Sequence, residues 1–148
     1  MDFERITRDR QPYVYVERTT PMAEIAGAME SGFGEVFGTI GAKGITPRSM
    51  PMSIYFEMSD PLTFRIGVMV SAKDAVASGL ATDTLPEEAI TTTHRGSYAS
   101  LGATHQALWK HMESEGIQPA MPVWEVYVDD PGETAEADLR TEIYRAVG

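Results

Sequence analysis

An internal repeat restricts the fold of this chain more than any other feature. The run Gly44-Ile45-Thr46-Pro47 returns as Gly116-Ile117-Gln118-Pro119, Pro51 and Tyr55 return as Pro122 and Tyr127, and Asp60-Pro61 returns as Asp130-Pro131. The elements around these turns repeat in the same order. Tyr13 to Val16 alternates as a strand does, and Thr19-Thr20-Pro21 supplies helix-start chemistry. Met22, Ile25, Met29, Phe33, Phe37 and Ile40 recur every three or four residues and predict one amphipathic helix. Met52 to Met58 and Leu62 to Val70 then read as strands joined by a turn at Ser59-Asp60-Pro61. In the second half, Ala89 to Thr93 is strand-like, and His94-Arg95-Gly96-Ser97 turns into a helix striped by Tyr98, Leu101, His105, Leu108, Trp109 and Met112. Strands from Met121 to Val128 and from Leu139 to Val147 follow, separated by a turn at Asp129 to Gly132. The expected fold class is α+β, one domain over residues 1–148 made of duplicated β-α-β-β modules. The repeats span about 12–71 and 90–147, and the polar segment 72–88 is expected to be an irregular linker with at most a short helix.

Composition narrows the function. With 148 residues, 43% of them hydrophobic, the chain can bury a real core. It has no cysteine, which excludes disulfides and thiolate metal sites. The start Met1-Asp2-Phe3-Glu4-Arg5 lacks the order of a signal peptide, and no apolar run approaches the roughly 20 residues of a membrane span. A cytoplasmic location without membrane association is expected. The net charge of -10 opposes a polyanion and suits cationic partners.

Few residues could carry chemistry. Glu125 interrupts an apolar strand, and alternation sets it on one face with Val123 and Tyr127, opposite Trp124, Val126 and Val128. It reads either as a pocket carboxylate, attracting a cation or acting as a general base, or as a solvent-facing residue. Glu142 shares a face with Arg140 and Tyr144 and reads as a ligand contact or as an ion pair with Arg140. Among the aromatics, Tyr55, Tyr98, Trp109 and Tyr127 are favoured as pocket residues, with Phe37 and Trp124 also candidates. Gly27, Gly34, Gly38 and Gly41 lie on one side of the first helix and suggest either a close approach or a bend. His94, His105 and His111 lack metal-ligand spacing, and His105 on an apolar stripe reads as a satisfied core residue. No metal or cofactor is expected, and no phosphate loop, nucleophile elbow or dinucleotide fingerprint is present.

The runs HRGSY at His94 to Tyr98, ALW at Ala107 to Trp109, PVWEVYVDDPGET at Pro122 to Thr134 and LRTEIY at Leu139 to Tyr144 resemble the GyrI-like effector-binding family. The resemblance covers nearly the whole chain, more loosely in the first half. It implies a pseudo-twofold arrangement in which a curved antiparallel sheet carries both main helices on one face, with ligands held in the groove between them. The family includes effector domains of AraC and MerR type regulators, free-standing binding proteins, a DNA gyrase inhibitor and hydrolases of cyclopropane-bearing toxins. A shared fold does not choose among these activities.

The leading expectation is a free-standing binder of amphipathic organic ligands, cations among them, in that groove. The resemblance also implies an acidic groove residue, a role that falls to Glu125. The alternatives are a hydrolase of strained electrophiles, with Glu125 activating water and Tyr98 donating a hydrogen bond, and an acidic module that docks on a protein partner through Asp129 to Asp138. A helix-turn-helix reader does not fit in the ten or so residues before the first strand, so direct DNA binding is not expected. Titration of labelled duplex DNA at moderate salt should accordingly show no saturable binding; tight, sequence-dependent binding would contradict the charge argument.

Overall fold

A computed structural model describes residues 1–148. Its strands are β1 (Glu4–Thr7), β2 (Gln11–Thr20), β3 (Met52–Tyr55), β4 (Leu62–Met69), β5 (Ala81–Leu85), β6 (Glu88–Arg95), β7 (Pro119–Tyr127) and β8 (Arg140–Val147). The helices are α1 (Ile25–Ala42), α2 (Ala72–Ser78) and α3 (Leu101–Ser114), with short 3-10 turns at Met22–Glu24 and Tyr98–Ser100 leading into α1 and α3. All eight strands form one sheet in the order β1-β6-β8-β7-β3-β4-β2-β5, and every pairing is antiparallel. The order is symmetric about the β7–β3 seam, so β2-α1-β3-β4 and β6-α3-β7-β8 are the two copies of the repeated module.

The repeated Gly-Ile-x-Pro runs are the stops of the two main helices. Gly44 and Gly116 adopt φ of 68° and 71°, the left-handed region that only glycine enters cheaply. The following amides fold back in the same way, Ile45 to the Ile40 carbonyl and Ile117 to the Met112 carbonyl, while Gly44 and Gly116 bond to Gly41 and Glu113. This is a Schellman cap, in which a left-handed residue lets the next amide satisfy a carbonyl of the last turn. Ile45 and Ile117 then pack against their own helix–sheet cores.

Two strands lie where none is expected. The polar start contains β1, and the presumed linker contains β5 after the short helix α2. Their alternation is weak because each is an edge strand with one neighbour. Each also crosses to the other module, β1 pairing with β6 and β5 with β2. Strand limits shift as well: β3 stops at Tyr55, short of Met58, and β6 takes in His94 and Arg95, the first two residues of the expected turn.

These crossings determine the shape of the sheet. Thr7 and Gln11 stand six places apart in strand order, about 29 Å in a flat sheet, yet the chain between them reaches only about 14 Å. Leu85 and Glu88 impose the same closure from the other end, and the Arg8 amide bonds the Glu87 carbonyl where the two links meet. The sheet must therefore roll. Its inner face packs on itself, bringing together Ile6, Tyr13, Met52, Met69, Leu85, Ala89, Trp124 and Ala146, one residue from each strand in order of sequence. The outer face carries the helices. Val36 and Ile40 of α1 pack on Val14, Phe64, Ile66 and Val68, and Leu108 and Met112 of α3 pack on Ile90 and Ile143.

The close approach on α1 is at Gly32. A Cβ there would collide with Ile66 of β4, whereas Gly27, Gly34, Gly38 and Gly41 face open space and so mark no contact. Gly32→Ala should lower stability by up to about 2 kcal/mol, overpacking of about 1–3 kcal/mol outweighing a helix-propensity gain of about 1 kcal/mol, while Gly34→Ala should raise it by about 1 kcal/mol through propensity alone. Chemical denaturation of the two variants checks this; similar shifts for both would contradict the packing described.

Candidate functional site

The helices sit on β2–β4 and on β6–β8 and leave the central β3–β7 seam as the floor of a groove. Period-two alternation sends Met52, Ile54, Trp124 and Val126 inward, so Ser53, Tyr55, Val123, Glu125 and Tyr127 face the groove. Ser53 stands in register with Glu125 across the seam. Along α1, Met29, Phe33 and Phe37 recur at intervals of four and form one wall. Phe33 meets the Tyr127 ring edge-on with centroids 6.2 Å apart, and Phe37 lies 6.4 Å from Phe33. The opposite wall is Tyr98, edge-on to Tyr127 at 5.7 Å, followed along α3 by His105 and Trp109.

Glu125 is 7% exposed, and both carboxylate oxygens are engaged. The Tyr127 hydroxyl donates to Oε1 at 2.6 Å, and Nε2 of His105 lies 2.6 Å from Oε2. Ser53 Oγ extends the network, 2.6 Å from the Tyr127 hydroxyl and 3.0 Å from that of Tyr55. Burial, and after it the negative charge of Glu125, holds the Tyr127 phenol well above its usual pKa. Burial raises Tyr55 in the same way. Tyr98 is raised first by burial and then by Asp130 and Asp129. Such phenols remain donors, and the arrangement can present one negative charge inside an aromatic enclosure.

The expected site residues divide between the two faces of the sheet. Glu125, Tyr127, Tyr98 and Phe37 meet at the groove, and Tyr55 lies in its floor, stacked on Phe64. Trp109, 40% exposed, stands one turn beyond His105 and borders a depression of about 340 Å³ at the end of α3. Trp124 and Glu142 lie on the inner face instead. Trp124 is 0% exposed and stacks on Tyr144, whose hydroxyl donates to Glu142 at 2.9 Å. Neither can reach a ligand in the groove, because strand alternation sends them through the sheet. The alternative reading of Glu142, an ion pair with Arg140, is not formed either: Arg140 makes a two-pronged bond to Asp129. In the acidic turn, Asp129 thus binds Arg140 and Asp130 caps the Gly132 amide, local tasks that hold the turn.

Residues 1–147 match the GyrI-like small molecule binding domain. The chain belongs to this family. No curated protein matches it in sequence. Among solved structures, this GyrI-like chain superposes on the EcmrR C-terminal domain with a TM-score of 0.76 and 16% identity, covering 99% of this chain and 96% of that one. It superposes on SAV2435 bound to tetraphenylphosphonium with a TM-score of 0.72 and 14% identity, covering 100% and 94%. A hydrolase from Listeria innocua gives 0.68 and 14%, covering 99% and 92%. At these identities the likeness is one of fold. No helix of the GyrI-like chain is long and apolar enough to cross a membrane.

Sequence reasoning missed His105, Ser53, Met29 and Phe33 as groove residues. The repeat holds a signal for three of them. The spacing that relates Gly44 to Gly116 relates Ser53 to Glu125, Phe33 to His105 and Phe37 to Trp109. The two walls and the two halves of the floor are thus equivalent in position and different in chemistry.

The phenols give a pH prediction. Tyr13 and Tyr144, on the inner face, are pushed up to about 12, chiefly by burial, and Tyr55 and Tyr127 are raised as well. Tyrosines of the unfolded chain ionise near pH 10, so this contribution to stability is whole below about pH 10 and is lost as pH climbs towards 12 and beyond. Phenolate absorbance followed alongside circular dichroism should show these tyrosines ionising late and together with unfolding. Ionisation of all six tyrosines near pH 10 in a folded chain would contradict it.

Proposed function

We propose that this chain binds a hydrophobic organic cation in the groove between α1 and α3, with Glu125 as counter-charge and Tyr98, Tyr127, Phe33 and Phe37 as the apolar enclosure. The observation that carries the proposal is a carboxylate nine-tenths buried on a central strand, with aromatic rings around it and no lysine or arginine bonded to it. A buried carboxylate attracts a cation with less screening than a surface one, and ring faces add about 0.5–2 kcal/mol each through cation–π attraction. A delocalised cation is weakly hydrated and loses little on entering. The tetraphenylphosphonium bound to SAV2435, a protein of the same fold, is a ligand of this type.

The same carboxylate supports a second reading. Glu125 holds a short contact to His105 with Tyr98 nearby, an acid–base set that could activate water on a strained electrophile, and one protein of this fold is a hydrolase. Intact-mass analysis of candidate compounds after incubation separates the readings, since binding returns the compound unchanged and hydrolysis adds water.

Glu125→Gln keeps shape and removes charge. It should weaken tetraphenylphosphonium binding by about tenfold, or about 1.4 kcal/mol, and change binding of neutral triphenylphosphine oxide by less than about twofold. Glu142→Gln, on the inner face, is the control and should leave both unchanged. Fluorescence or calorimetric titration checks this, and equal losses for the two ligands would make Glu125 a structural residue.

A further inference from the structure

The carboxylate at the centre of the groove is already occupied. Tyr127 holds Oε1, and the imidazole of His105, reaching across from α3 to β7, holds Oε2 at 2.6 Å. His105 is the one ion-pair partner of Glu125. A cation entering the groove therefore meets a histidine before it meets a free charge.

We infer that His105 is the groove's own cation, a specificity residue that sits on Glu125 when protonated, is displaced by the ligand, and couples ligand uptake to release of a proton. The inference rests on the proposed function of the same groove. Displacement is mechanically simple, because the two residues lie on different elements and a rotation of one side chain uncovers the carboxylate. The imidazole side chain is 22% exposed against 9% for Glu125, so the proton has a route to solvent.

The rest of the enclosure does not supply a competing cation. Tyr127 from β7, Tyr55 from β3 and Tyr98 from the turn before α3 act on Glu125, and all three are phenols held in the neutral form by burial. The α1 wall presents Met29, Phe33 and Phe37, which do not titrate. Asp129 and Asp130 act on Tyr98 and are acids. Among the side chains of this enclosure an imidazole is the type that exchanges a proton most readily near neutral pH. The repeat adds a structural point: the residue equivalent to His105 on the other wall is Phe33, so the exchangeable cation stands on one side only. A neutral ligand gains nothing from displacing the imidazole, which sharpens the preference for cations.

The test uses the full chain and tetraphenylphosphonium as the probe. Affinity should rise about tenfold as pH is raised across the neutral range in the wild type and stay nearly flat in His105→Gln, which keeps a polar partner for Glu125 without the charge. Calorimetric heats near pH 6, taken in buffers of different ionisation enthalpy, should report proton release for the wild type and none for the variant. His105→Asn serves if His105→Gln does not fold, and the wild-type heats need no variant. Equal pH profiles in wild type and variants, or buffer-independent heats in the wild type, would overturn the exchange while leaving cation binding intact. Failure of the wild type to bind tetraphenylphosphonium at any pH would overturn the exchange and the proposed function together.

Discussion

The architecture depends on two short links, Arg8 to Arg10 and Pro86 to Glu87, that tie opposite ends of an eight-stranded sheet together. A chain of three residues or fewer cannot cross the width of a flat sheet, so curvature is imposed by covalent reach and then filled by packing. Once rolled, the inner face holds an apolar cluster drawn from all eight strands, and the helices pack on the outside. Each helix covers the flank of its own module. The seam where the modules meet, β3 against β7, lies between the two helices and belongs to neither flank.

That seam is where a buried charge is tolerable. Glu125 at the seam replaces lost hydration with a phenol and an imidazole, as Glu142 on the inner face does with the Tyr144 hydroxyl. Tyr127 is a good partner because it cannot easily give up its proton there, so the donor persists. Symmetry of position combined with asymmetry of chemistry completes the site: Ser53, Phe33 and Phe37 on one side face Glu125, His105 and Trp109 on the other. Equivalent positions give the groove matching walls, and the different side chains at those positions give it polarity.

Much of this was legible in the residues. The Gly-Ile-x-Pro repeats marked both helix ends because a left-handed cap requires glycine and its companion isoleucine must bury itself. Alternation in β7 placed Glu125 and Tyr127 on one face correctly, since a strand leaves no choice of side. The same rule, applied to Trp124 and Glu142, sets them on the inner face, but the residues alone do not say that the helices cover the other face. The edge strands β1 and β5 were illegible for a related reason: short, half-exposed strands carry little alternation, and their pairing is a matter of topology. His105 was misread because its position on an apolar stripe is a property of α3 alone, while its role comes from the β7 residue that it meets.

The exchange of edge strands has a consequence for the unit that folds. Each module places its leading strand on the far edge of the other, as two subunits do when they trade arms in a swapped dimer. Here the two subunits are one chain. Neither module is complete by itself, since each would expose an unpaired edge that only the other's arm covers. The groove therefore requires both modules at once, since each wall rests on strands whose outer neighbour is the other module's arm.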